Sequence, residues 1–218
     1  MHKLERGIAP AGLHYQSNHH KWGEGVPTPD EYTSIWAALG AMQEGRCAYC
    51  EAILKDDAKH IEHFGARNPQ YYPQGEFEWA NLFGSCNCRD SCGKHKDGKG
   101  RPHTWRDLIK PDVDDPADFF IFESDGDISP RDNLSPGNLK RAEETLRVFN
   151  LKNNFDLRNA RMTTLRRFKQ QAADHAACWE EMPEEVITEI DRLLDEAKSL
   201  PYISWIRHTL KAVLKQAG

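Results

Sequence analysis

Apolar positions along the 218-residue chain change period more than once, and each change marks a new kind of structure. Residues 1–27, rich in Gly, Pro and His, show no sustained period and read as an irregular arm on the surface. At Thr28-Pro29-Asp30-Glu31 three helix-start signals coincide: a capping Thr, Pro at the first helical position and Glu three residues on. Tyr32, Ile35, Trp36, Leu39 and Met42 follow at three- and four-residue steps, predicting a helix that ends near Gly45. From Arg46 the helical period is lost. Residues 51–54 and 60–64 read as short strands around an Asp56-Asp57 turn, which predicts a β-hairpin. Residues 66–75, with two prolines, read as a loop, and a short helix is expected to begin near Ser91 or Cys92. A Pro/Asp-rich connector covers 108–116. A small hairpin is expected from 119–122 and 127–128 around Ser124-Asp125-Gly126.

Beyond Pro136 the period is helical to the end. Leu139, Ala142, Leu146 and Phe149 mark one helix, and Leu157, Ala160, Thr164, Phe168 and Ala172 a longer one. Pro183 starts a third with Val186, Ile187, Ile190 and Leu194, and Pro201 a fourth with Ile206, Leu210 and Val213. The expected fold class is α+β: a metal-stapled ββα core, preceded by one helix and followed by a mainly helical half. The boundaries expected are 1–27 for the arm, 28–110 for the helix and core, 111–135 for the connector and hairpin, and 136–218 for the helical region.

Charge alters this picture by its distribution more than by its sum. A formal net charge of −5 disfavours a general polyanion binder. Yet Arg89, Lys94, Lys96, Lys99, Arg101, Arg106 and Lys110 form one basic run, and a second extends from Lys140 to Lys169. A phosphate backbone responds to such local patches. Between Asp174 and Glu196 the sign reverses, which suits a protein-binding surface or a solvated helix better than a DNA contact. No apolar run is long enough for a membrane span, and the N-terminus lacks the apolar centre of a signal peptide, so a cytoplasmic protein is expected.

In that reducing compartment, five cysteines within 46–96 point to metal ligation, not disulfides. Cys47 and Cys50 form a C-x-x-C pair, while Cys86, Cys88 and Cys92 offer three sulfurs for two places. Cys86 and Cys92 are the expected partners, with Cys88 in reserve, giving a closed tetrahedral site for structural Zn²⁺. A redox C-x-x-C would normally accompany a βαβ pattern, which is lacking here. Cys178 stands apart at the end of a helix and reads as a small buried hydrophobe.

Glu62-His63 lies between the two knuckles, Asn81 precedes the second and His95 follows it. Phosphodiester hydrolysis requires a base to take a proton from water and a cation to stabilise charge on the phosphate. Histidine suits the first task near neutral pH, and a carboxylate is a natural hard ligand for Mg²⁺ or Mn²⁺. Adjacent strand residues face opposite ways, so Glu62 and His63 can share a site only if the chain bends after them.

C-x-x-C, a carboxylate–His pair, a downstream Asn and a second cysteine knuckle together resemble the HNH endonucleases, whose ββα-metal fold carries one catalytic divalent ion. CAYCE, IEHF, W-x-NL-x-x-SCN and CGKHKD, with a helical half behind them, are similar to the HNH component of the Septu anti-phage system and its retron-associated relatives. The motif match covers 47–97; elsewhere the likeness is one of layout. The resemblance implies that His63 is the general base, Glu62 the metal-binding carboxylate, and Asn81 the residue holding the loop and orienting the base. The family usually has a metal-binding His or Asn directly after the last cysteine. Here Gly93 stands there, so His95 is expected to take the role, with Asp97 next and Asn87 behind it. The resemblance further implies DNA as substrate and an ABC/SMC-like ATPase as partner. The alternative from another class is a zinc-ribbon module that binds nucleic acid and does no chemistry.

Overall fold

Thr28 begins the first regular element of a computed structural model that describes residues 1–15, 19–67, 75–98 and 102–215. Its hydroxyl accepts from the Glu31 amide while the Glu31 carboxylate accepts from the Thr28 amide, a reciprocal cap on helix α1, Pro29–Gln43. Ile35, Leu39, Met42 and Gln43 form its buried stripe. Lys99, Arg101 and most of the expected 66–75 loop lie outside the described residues.

Strand β1, Lys59–His63, does not pair with 51–54 as the local turn signal suggested. Its partner is β2, Leu82–Cys86, antiparallel, with Ile61 opposite Gly84 and His63 opposite Leu82. The reason lies in the first knuckle. Residues 47–52 commit their backbone groups elsewhere, Cys47 donating to Ala52, Glu51 to Cys47 and Ala48 to the Gly84 carbonyl of β2, so only an isolated bridge between Arg46 and Ile53 remains. The outer edge of β2 is then covered by a side chain together with the Ala48 amide. The fully buried Gln43 donates to the Gly84 carbonyl and accepts from its amide, as a neighbouring strand would. Gly84 suits the place, because a Cβ there would press on Gln43, Leu54 and Trp36 at 3.1 Å.

A short helix α2, Cys92–Lys96, follows β2 and packs against it. The second hairpin is present as β3, Phe120–Phe122, and β4, Ile128–Pro130, closed by Gly126 with φ +83°. The four helices expected after Pro136 are α3 (Pro136–Val148), α4 (Phe155–Ala177), α5 (Pro183–Glu196) and α6 (Ile203–Lys215). Their stripes run nearly as read, but Leu139 and Ile187 are exposed and Leu193 is buried in place of Ile187.

These helices close over the first knuckle. Arg46, fully buried, donates to the carbonyls of Lys198 and Leu200, and the Glu51 carboxylate accepts from the Ser204 amide and hydroxyl. Tyr49 stacks on Phe149 at 4.0 Å, and the Cys92 amide donates to the Phe149 carbonyl. The arm is irregular, as expected, but it is not merely a surface segment: Met1 and Leu4 are buried in the core, and the Leu4 amide donates to Pro111.

Candidate metal centre and active site

Two turns from distant parts of the chain deliver four sulfurs to one point. Cys47, Cys50, Cys86 and Cys92 place their Sγ atoms within 4.8 Å of one another, so the four could hold a metal ion. Cys88 is exposed and takes no part in that group. Each knuckle bends through a left-handed residue that is not glycine, Glu51 at φ +66° and Cys92 at φ +58°. Such backbone costs about 1–2 kcal/mol per residue and persists where surrounding bonds enforce it. The thiols also disturb one another. Hydrogen bonds with Cys47 and Cys86 push the Cys50 thiol well up, and burial, then Cys47, does the same to Cys92. Burial opposes ionisation of Cys47, but hydrogen bonds from the other three sulfurs pull it well down. The crowding thus favours a thiolate at Cys47 over one at Cys50 or Cys92. A divalent cation is the partner that lets all four ionise, and the donor set fits Zn²⁺.

The face of β1 toward α2 carries His60 and Glu62, as alternation along a strand requires. Glu62 is buried, with Lys96 Nζ 2.8 Å from Oε1 and His60 Nε2 3.4 Å from Oε2. Lys96 also donates to the His63 carbonyl at 2.9 Å and to Asp97 at 2.8 Å. Burial works against its charge, yet Glu62 and Asp97 hold the ammonium above the usual lysine range. Lys96 is therefore a buried clamp between α2 and β1, not part of a phosphate-facing edge. Lys110 departs from that edge too, pairing with Asp112 and lying over the Phe83 ring. Arg89, Lys94 and Arg106 are exposed.

His63 leaves β1 in another direction. Its Nε2 lies 2.9 Å from the Glu76 carbonyl, and its ring meets Trp22 edge-on at 4.8 Å. A carbonyl only accepts, so Nε2 carries the proton and Nδ1 the lone pair. Burial is the main force on the ring, and it lowers the pKa to about 4, leaving the imidazole neutral at pH 7. Immediately after His63 the chain bends at Phe64 and Gly65. Asn81 clamps that bend: its Oδ1 accepts from the Gly65 amide, and its Nδ2 donates to the carbonyls of Gly65 and Gly75. His95 faces α3, where its Nδ1 lies 2.8 Å from the Val148 carbonyl. Asp97 is largely exposed beside Lys96, and Asn87 bonds to the Lys59 carbonyl at the other end of β1.

Sequence reasoning passed over His60, two residues before Glu62 on the same face of the strand, and read Lys96 only as one charge of a basic run. No described helix is long and apolar enough to cross a membrane.

No protein-family model matches the chain. Over 96 residues it is 34% identical to the Septu protein PtuB of Bacillus thuringiensis, a match that takes in 40% of this chain and 34% of that protein. The chain thus spans about a third of the length of the curated relative it matches.

Proposed function

We propose that the chain is a metal-dependent endonuclease of HNH type, cutting phosphodiester bonds in DNA on a scaffold held by cysteine-bound zinc. One observation carries the reading. A neutral, carbonyl-oriented His63 sits at the end of a strand beside a buried carboxylate, with the following bend clamped by Asn81. The order β1, β2, α2 around the cysteine knuckles supports a ββα-metal core.

In this reading His63 accepts a proton from the attacking water at Nδ1, while the Glu76 carbonyl fixes its tautomer and ring plane. A positioned base of this kind contributes roughly 10²–10⁴-fold to rate. Asn81 keeps the bend, and with it the direction of His63, in place before substrate arrives. Glu62 is the carboxylate that would hold Mg²⁺ or Mn²⁺, and that ion would supply Lewis-acid stabilisation of phosphate charge. One feature of the structure fits a cation beside Glu62: His60, with Nε2 3.4 Å from Oε2, has shielded ring nitrogens that make no hydrogen bond. His95, whose Nδ1 lies 2.8 Å from the Val148 carbonyl, is the other expected ligand of that ion.

The similarity to Septu protein PtuB supports a role in an anti-phage defence complex in the cytoplasm. The partner would be an ABC/SMC-like ATPase, with 28–110 as the cutting core and the helices of 136–218 as its docking region. A specific observation favours a second reading, a zinc-bound DNA-binding module without chemistry: Lys96 already neutralises Glu62.

Nicking of supercoiled plasmid by the protein with its ATPase neighbour separates the two. Cleavage in Mg²⁺ or Mn²⁺, abolished by EDTA and reduced about 10²–10⁴-fold in His63→Ala, is the expected result. Equal cutting by the variant, or no cutting under any divalent ion, overturns the nuclease reading.

A further inference from the structure

A cavity of about 420 Å³ lies where α6 meets the second hairpin and the N-terminal arm. Its volume falls in the range of roughly 300–1,000 Å³ that small-molecule sites occupy. Neither the cysteine quartet nor the Glu62 face lines it. Apolar surface comes from Ala117, Phe120, Phe122 and Ala212. Cations come from three separate parts of the chain: Lys3 from the arm, Arg131 from just after β4, and Arg207 with Lys211 from α6.

These cations differ from others in the molecule by their company. Arg6, Lys110, Arg141 and Arg158 each meet a carboxylate. Lys3 instead donates to the carbonyls of Asp112 and Val113, and Arg131 to that of Ala117, bonds that hold the side chains in place without balancing their charge. Arg207 and Lys211 make no hydrogen bond or ion pair among the described residues. They stand four residues apart on α6, on one face, where like charges repel. The chain has 34 acidic residues against 29 Lys and Arg, so composition does not force unpaired cations together here. An anion among them would remove the repulsion. Asp115 is the one carboxylate residue of the lining, and its Oδ1 already accepts from the Ala117 amide at 2.9 Å.

We infer that this cavity binds a nucleoside phosphate, free or at the 5′ end of a nucleic-acid strand, with the cations on the phosphate and the apolar wall against the base. Guanidinium groups match phosphate oxygens two at a time, and an ammonium adds a point charge. A bare phosphate would leave most of the space empty, since the cavity has room for roughly a dozen waters. The second oxygen of Asp115 is left for a sugar hydroxyl. Ser204, another lining residue, bonds through its amide and hydroxyl to Glu51 of the first knuckle. A ligand in the cavity therefore stiffens the wall on which that knuckle is seated. None of this depends on the proposed nuclease chemistry.

The probes are AMP, GMP, CMP and UMP, titrated calorimetrically into zinc-loaded full-length protein at low salt without added divalent ion. At least one is expected to bind once per chain and to raise the melting temperature. Inorganic phosphate and the matching nucleoside, each carrying half of the ligand, should bind at least about 10-fold more weakly. Arg207→Glu combined with Lys211→Glu should weaken nucleotide binding by at least about 10-fold as well. Both residues are exposed on α6, and an unchanged circular dichroism spectrum establishes that the variant is folded. If it is not, Arg131→Gln takes its place. A 5′-phosphorylated tetranucleotide titrated alongside tells a free nucleotide from the end of a strand, and binding of either upholds the site. No nucleotide binding, phosphate binding as tight as that of any nucleotide, or a folded variant that binds as wild type does, overturns the inference. Binding of tetraglutamate in place of the nucleotides also overturns it, because the cavity then receives an acidic segment of a protein.

Discussion

The cysteine quartet draws Cys86 from β2, Cys92 from α2 and Cys47 and Cys50 from the turn before β1, so it adjoins the Glu62 face of β1, yet the two are built on opposite logics. The four sulfurs converge within 4.8 Å on a single point, the geometry of a closed metal site. Glu62 is different: its charge is already met by Lys96, and its second oxygen lies 3.4 Å from His60 Nε2. A soft, closed site needs four like residues and announces itself. A hard, open site needs one or two, and its other members are set by what surrounds them. The comparison teaches that a quartet of like ligands and a lone buried carboxylate make unequal demands on one small fold.

The largest effect that would break the comparison is at the sulfurs. Zinc chelation, or Cys50→Ser, should remove on the order of 10 kcal/mol of apparent stability and abolish cooperative unfolding of the core, measured by circular dichroism. A variant that still melts cooperatively near the wild-type temperature would deprive the quartet of its structural role. On the other side of the comparison, Lys96→Met leaves Glu62 buried without its partner and should cost about 3–5 kcal/mol in urea unfolding. Added Mn²⁺ should restore part of that loss, because a cation beside Glu62 then meets its charge.

A third effect concerns His63. Its pKa in the fold, about 4, lies below the ordinary 6.5, so the unfolded chain takes up a proton between these values that the folded one refuses. The contribution is therefore complete above pH 6.5 and is lost as pH falls toward 4, amounting to roughly 2–3 kcal/mol across that window. Comparing wild type with His63→Gln at each pH cancels the acid sensitivity common to both. The stability difference should move against wild type on going from pH 7 to pH 5, and a constant difference would contradict a buried neutral ring. The smallest effect is at Asn81. Asn81→Ala removes three hydrogen bonds around the bend and should cost about 1–3 kcal/mol, with cleavage falling further than stability if the bend directs His63.

How much of this was legible in the sequence follows the same division. The helix stripes, the second hairpin and the choice of Cys86 and Cys92 over Cys88 were all readable, because each depends on local period or on sulfur spacing. The partner of β1 was not. Asp56-Asp57 signals a turn to any local reading, but the first knuckle consumes the backbone groups that a hairpin would need, and the strand 82–86 pairs instead. Lys96 reads as one more charge in a basic run until α2 is docked on β1, when its ammonium is buried between Glu62 and Asp97. His60 is hidden for a related reason: its close packing against α2 depends on Gly93, thirty-odd residues away, having no side chain. Long-range pairing and the absence of an atom leave no local pattern.

The most direct test of two unlike metal sites on one fold is the metal content of purified protein before and after dialysis against Mn²⁺. The account predicts one zinc per chain that survives in Glu62→Gln and is lost in Cys50→Ser, together with one exchangeable Mn²⁺ that Glu62→Gln abolishes. Protein that carries no zinc, with Cys47, Cys50, Cys86 and Cys92 reacting as four free thiols, would contradict it.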